Sequence, residues 1–259
     1  MRFIVCIKQV PDVAAPTRLE NNRIIQDTDR MVLNAYDASA LEACLVLRET
    51  HGGEIDVVLI GSERASEAIR KALAMGADNG THIVTDSTHQ LDSRAVATIL
   101  AAHLKTKNFD VIACGKQSQD TDAGLTGSML AAMLGLPYTT NAVAMSIESG
   151  NLVVTKQADT GREIVRLPSP CLVTCSNDMN NPRIPSLKGI MMAKKKTMEQ
   201  VRLASLGLED ELAHAASLAN VVIGEEAPPT RSGARMIPGE PPDMVRQLVD
   251  ALESEARVI

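Results

Sequence analysis

Aliphatic and β-branched runs alternate along this chain with amphipathic stretches of helical period. Arg2-Phe-Ile-Val-Cys-Ile-Lys-Gln-Val10 opens it, mostly apolar as a strand covered on both faces should be, and Pro11-Asp12 ends it. Residues 14–36 carry no strong period and predict a long loop or short hairpin. Asp37 reads as the N-cap of a helix with Ala40, Leu41, Cys44, Leu45 and Leu47 on one stripe, stopped by Gly52-Gly53. A strand over 55–60 closes at Gly61, and a helix over 62–75 closes at Gly76. A strand over 81–85, a helix over 93–105, a strand over 109–114 ending in Gly115, and a helix over 126–134 closed by Gly135 follow in turn.

This alternation predicts an α/β fold, a parallel sheet with helices on both faces. Ligands of such sheets bind outside the carboxyl ends of the strands, here the loops after Val10, Ile60 and Cys114. The pattern changes after Pro137. Short strands over 142–147, 151–157 and 163–167, turned at Glu148-Ser-Gly150 and Asp159-Thr-Gly161, predict an antiparallel β region. A strand over 172–176 is expected back in the main sheet. The tail from Thr197 carries Pro228-Pro229 and Pro241-Pro242. It ends in a helical pattern over 243–256, with Met244, Val245, Leu248, Val249 and Leu252 on one face. Such a tail reads as an arm that needs something else to pack on.

Composition narrows the classes. The 259 residues suffice for a large core without disulfides or metals, and 45% hydrophobic with 22% charged residues excludes a largely disordered chain. No run approaches the roughly 18 apolar residues of a membrane span, so no stable membrane insertion is expected. The N-terminus, with Arg2 as its one basic residue, does not read as a secretory signal. A net charge of −6 and four aromatics, Phe3, Tyr36, Phe109 and Tyr138, argue against nucleic acid as a partner. Cys6, Cys44, Cys114, Cys171 and Cys175 match no zinc spacing. Cys171 and Cys175 share a strand face but stand too far apart for a disulfide. All five read as small buried apolar residues of a reducing compartment. His51, His82, His89, His103 and His214 are scattered, so no metal site is expected.

The most informative segment is Gly115-Lys-Gln-Ser-Gln-Asp-Thr-Asp-Ala-Gly-Leu-Thr-Gly127, between a predicted strand and helix. Gly124 and Gly127 allow close backbone approach to a ligand, the helix N-terminus suits phosphate, and Thr126 adds a hydroxyl donor. It is neither a Walker loop nor GxGxxG, and the same residues also suit a plain helix cap with no ligand. Asp120 and Asp122 fit a cap or a ribose hydroxyl better than paired acid/base carboxylates. No nucleophile stands beside a base, and no catalytic residue is expected. Lys194-Lys195-Lys196 suits an acidic partner or a solvated face. Leu187, Ile190, Met191 and Met192, bounded by Pro185, suit either a protein contact or a return to the core.

Several segments together resemble the β subunit of electron transfer flavoprotein. They are Val5-Cys-Ile-Lys-Gln-Val-Pro-Asp12, Ala72-Leu-Ala-Met-Gly-Ala-Asp78, and Gly115-Lys-Gln117 with Asp120 and Thr126-Gly127. The stretch ending in Pro170-Cys-Leu-Val-Thr174, and Asn181-Pro-Arg183 through Leu187 to Ala193-Lys-Lys-Lys196, complete the set. The resemblance runs from Arg2 to about Leu208. It implies an adenine-nucleotide α-hydrolase-like domain in a heterodimer with a larger α subunit that carries most of the redox FAD. The chain would then be an electron-carrier subunit rather than a stand-alone enzyme. It would bind AMP structurally through Cys6, Asn34, Ala35, Tyr36, Asp37, Ile60, Gly115, Lys116, Gln117, Asp120, Thr121, Asp122, Ala123, Gly124, Leu125 and Thr126. Leu187 falls in the family's recognition loop, so Pro185, Ser186, Leu187, Ile190 and Met191 would dock flavin dehydrogenases such as acyl-CoA dehydrogenases.

The implied division is a nucleotide-binding domain over 1–193, with the recognition loop at 183–192, and an arm over 194–259 that packs on the α subunit. Electron-bifurcating members bind a second FAD in place of AMP and commonly have Val where this chain has Thr126, so AMP is the reading and FAD the alternative. A hydrolase or adenylating enzyme of this fold would need a Ser/Gly-rich loop where this chain has Gln9-Val-Pro-Asp12. A nucleotide sensor would have no use for the arm. The cytoplasm, or the mitochondrial matrix in a eukaryote, is the expected compartment.

Overall fold

The structure, a computed structural model, describes residues 1–15, 18–20, 23–25, 30–85, 91–208, 212, 223–226 and 233–259. His89, His214 and Pro228-Pro229 lie outside the described residues. The chain begins with β1 (Arg2–Ile7) and two small ribbons, β2 (Gln9–Pro11) with β5 (Met31–Leu33), and β3 (Arg18–Glu20) with β4 (Arg23–Ile25). There follow α1 (Ala35–His51), β6 (Glu54–Gly61), α2 (Ser66–Met75), β7 (Asn79–Val84), α3 (Ser93–Leu104), β8 (Val111–Gly115) and α4 (Thr126–Leu134). The second half holds β9 (Tyr138–Glu148), β10 (Asn151–Ala158), β11 (Gly161–Leu167), β12 (Cys171–Cys175), α5 (Leu187–Ala193), β13 (Met198–Arg202) and α6 (Pro241–Ala251).

Nine strands form one sheet in the order β11-β10-β9-β12-β8-β1-β6-β7-β13. Pairing is parallel from β9 through to β13 and antiparallel along β9, β10 and β11. Alternate residues of β1 explain its unbroken apolar run. Phe3 and Val5 pack with Leu41 and Leu45 of α1 and Ile69 and Leu73 of α2, while Ile4 and Cys6 pack with Ile99 and Leu100 of α3 and Leu130 of α4. The helices thus cover both faces, as the alternation requires.

The chain steps outward from β1 to β6 to β7, then crosses back to place β8 on the other side of β1. The strand order reverses between β1 and β8, where open α/β sheets hold their ligands. β12 returns to this sheet as expected, inserted between β8 and β9.

Several boundaries differ from the sequence reading. The first strand divides at Lys8, where the backbone leaves β6 and β8 to form the β2–β5 ribbon, so the loop that matters follows Ile7 rather than Val10. α1 starts two residues before Asp37, after Asn34. The helix expected over 62–75 begins as a 3₁₀ turn at Glu63–Ala65. The antiparallel strands are longer than their apolar patterns and extend the main sheet. β13 joins the sheet beyond residue 193, where the sequence reading starts the arm.

Candidate functional site

At the switch point, one carboxyl group ties the ends of two central strands. Asp37 lies in the first turn of α1, but it does not cap its own helix. Its Oδ2 accepts from the Lys8 amide at 2.7 Å and its Oδ1 from the Gly115 amide at 3.0 Å. The residue is buried, and burial pushes its carboxyl up to about 7 against the opposing pull of these amides and of Lys8. Gly115 is required here, because a Cβ would collide with Asp37 Oδ1 and the Tyr36 Cβ.

Asn34, also buried, holds the loop that follows β8. Its Nδ2 donates to the Gln117 carbonyl at 2.9 Å, and its Oδ1 accepts from the Gln119 amide at 3.2 Å. The Ala35 amide donates to Gln119 Oε1 at 3.1 Å. From β1's end, Lys8 Nζ reaches Asp120 at 2.7 Å and Ser118 Oγ at 3.2 Å. Gln117 Nε2 donates to Asp122 Oδ1 at 2.7 Å. Asp120 is therefore engaged by Lys8, Asp122 is engaged within the loop, and neither caps α4. Asp122 and Gly124 both adopt left-handed backbone, φ 50° and 66°, which turns the chain into α4.

The donor set left over suits a phosphate. No side-chain cap bonds the first-turn amides of α4, beside the half-buried Thr126, so its positive N-terminal end keeps donors for an anion. Lys116 makes no ion pair among the described residues. Thr121, Ala123 and Leu125 are exposed along the same rim. Cys6 and Ile60 lie at the carboxyl ends of β1 and β6, with Tyr36 half-buried nearby. Gly127 has a packing task that its sequence did not suggest. A Cβ there would strike Thr174 of β12, so it lets α4 pack closely on the sheet. Beside the loop opens a cleft of about 440 Å³, lined by Lys116, Asn141, Thr155, Gln157, Arg162 and Asp178.

The residues expected to dock a partner gather elsewhere, where α5 packs on α2. Pro185-Ser186 starts a short helix where a loop was expected, because the Ser186 Oγ accepts from the Gly189 amide at 3.0 Å. Leu187 is 83% exposed and Met191 69%, so these side chains do not return to the core. Ile190 and Met192 are exposed beside them, and Ala193 is the helix's one buried residue.

Sequence reasoning missed Lys8, Ser118 and Gln119 as loop-holding residues, and the Glu42–Arg183 pair below α5. Lys8 carried a signal, a cation set where the apolar strand breaks. The others depend on contacts that only the fold creates. Among the described residues no group of three His, Cys, Asp or Glu side chains is placed to hold a metal ion, and no helix is long and apolar enough to cross a membrane. The five cysteines are free and buried.

The family model for the electron transfer flavoprotein domain matches residues 22–206. The Bacillus subtilis electron transfer flavoprotein subunit beta is 32% identical over all of both chains. The Acetobacterium woodii caffeyl-CoA reductase-Etf complex subunit CarD is 34% identical over 92% of each. The Mycobacterium tuberculosis electron transfer flavoprotein subunit beta is 32% identical over 92% of each. With a family match over most of its length and relatives aligned nearly end to end, this chain belongs to the electron transfer flavoprotein family, as a β subunit.

Proposed function

We propose that the chain is the docking and nucleotide-binding half of a heterodimeric electron carrier. It pairs with a larger α subunit that holds most of the FAD, and it receives electrons from acyl-CoA-type flavin dehydrogenases. The FAD, when bound, supplies the redox chemistry. The residues of this chain bind, orient and shield. AMP would sit structurally at the switch point, its phosphate on the first turn of α4 and Thr126, with Lys116 adding charge. The observation that carries this reading is the loop 115–126, held across the ends of β1 and β8 by Asp37, Asn34 and Lys8, with the α4 N-terminus left for an outside anion. The A. woodii relative is named as a subunit of a complex with a CoA-ester reductase, which supports a partner of that class. The cytoplasm, or a mitochondrial matrix, suits this chemistry and the free cysteines.

A second reading, FAD in place of AMP as in bifurcating members, draws on the cleft beside Lys116, which offers room for a larger ligand. Mass spectrometry of nucleotides released from purified αβ complex separates the two. One AMP and one FAD per heterodimer are expected. Two FAD and no AMP would replace the first reading with the second.

A further inference from the structure

The segment carrying α5 pairs with no strand and buries almost nothing, yet it is tied down at both ends. At its start the Arg183 amide donates to Glu42 Oε2 at 3.0 Å. The Arg183 guanidinium grips Glu42 at 2.8 Å and 2.9 Å and reaches Glu49 Oε1 at 2.6 Å. Glu42 and Glu49 lie two turns apart on one face of α1, a spacing that a planar fork of donors can bridge. Hydrogen bonds from Arg183 lower the Glu49 carboxyl below its usual range, and both glutamates raise the Arg183 guanidinium further. Asn180 Nδ2 adds a bond to the Ser39 carbonyl at 3.0 Å.

At the far end Lys196 Nζ donates to the carbonyls of Ala77, at 2.6 Å, and Leu73, at 3.0 Å, capping the end of α2. Arg70 of α2 holds the Ala193 carbonyl at 3.2 Å. Between these ties Gly189 lies against α2, where a Cβ would come within 2.5 Å of the Ala74 carbonyl. A helix as short as α5 has no stability of its own, so its shape rests on these contacts.

We propose that Arg183 and Lys196 are positioning residues. They hold α5 as a pre-set platform, so that Leu187 and Met191 meet a partner dehydrogenase without first being ordered. The inference rests on the docking role proposed above. Pre-organisation of this kind acts through affinity rather than through the transfer step.

The test uses the full αβ complex and an acyl-CoA dehydrogenase reduced with butyryl-CoA. Arg183→Ala strands the Glu42 charge, so the pair is also removed neutrally as Arg183→Gln with Glu42→Gln. Arg183→Lys checks the need for a fork. We expect faster hydrogen exchange at the amides of 186–193, an unchanged flavin spectrum, and KM for the dehydrogenase raised about fivefold with kcat little altered. Arg183→Lys should recover only part of the loss. Adding Leu187→Ala should raise KM by less than the product of the separate effects, since both act through one contact. Normal KM in the neutral double variant, or effects that simply multiply, would overturn the positioning role. Normal KM in Leu187→Ala alone would instead overturn the docking role beneath it.

Discussion

Asp37 shows how much one side chain can carry. It joins the ends of β1 and β8, and burial raises its carboxyl from 3.8 to about 7. A carboxyl raised in the folded state takes up a proton on folding. Its contribution to stability is whole below about pH 4 and is lost as pH rises through about 7. The melting temperature relative to Asp37→Asn, which cannot titrate, should therefore shift in favour of the wild type as pH falls from 8 to 4. A difference that stays flat across that range would remove the effect. In the AMP site proposed here, Thr126 would act on the ligand side. Thr126→Val should weaken AMP binding by about 1.5–3 kcal/mol, the value of a hydrogen bond to a charged group, while Thr126→Ser should be mild. Calorimetric titration reads both, and equal affinities for Val and Thr would take Thr126 out of the phosphate site. Neither role of Asp37 was legible in the sequence. An acidic residue before an apolar stripe signals a cap, and only the fold brings Lys8 and Gly115 to it.

At the scale of elements, α5 separates two readings that the sequence left open. Leu187→Ala removes an exposed side chain, so melting should be unchanged while electron transfer from the dehydrogenase weakens by about 1–3 kcal/mol, as for an anchor at an interface. A lowered melting temperature with normal kinetics would point to a core role instead. The main strands and helices were legible because β-branched runs and glycine stops act locally. Gly76 and Gly135 close their helices as expected. The helix at 187 was hidden because Gly189 argues against one, and its reason is the Ala74 carbonyl on a distant element. β13 was hidden because Met198–Arg202 is short and largely polar, and it takes its shape from β7. The 115–126 segment was legible as a loop, but its ties to Asn34 and Lys8 were not.

For the whole molecule, the unfinished part is α6. Met244, Val245, Leu248 and Val249 are 37–61% exposed, and the helix buries no residue. A stripe of that kind needs a cover. Leu248→Ala should weaken the αβ heterodimer by about 1.5–3 kcal/mol if the α subunit covers it. Sedimentation equilibrium of the two-subunit complex measures this, and an unchanged dissociation constant would remove α6 from the assembly. Until a cover arrives, the chain carries a nine-stranded sheet whose outer strands, β11 and β13, pair with no further strand among the described residues. Each outer strand is charged. β11 sets Arg162, Glu163 and Arg166 around its exposed Ile164, with Glu163 and Arg166 tied inward to Lys156 and Glu148, and β13 carries Glu199 and Arg202. A second copy adding its own strand there would have to strip water from those charges. The borders of the sheet thus resist growth into fibres, and a subunit made ahead of its companion can wait without polymerising.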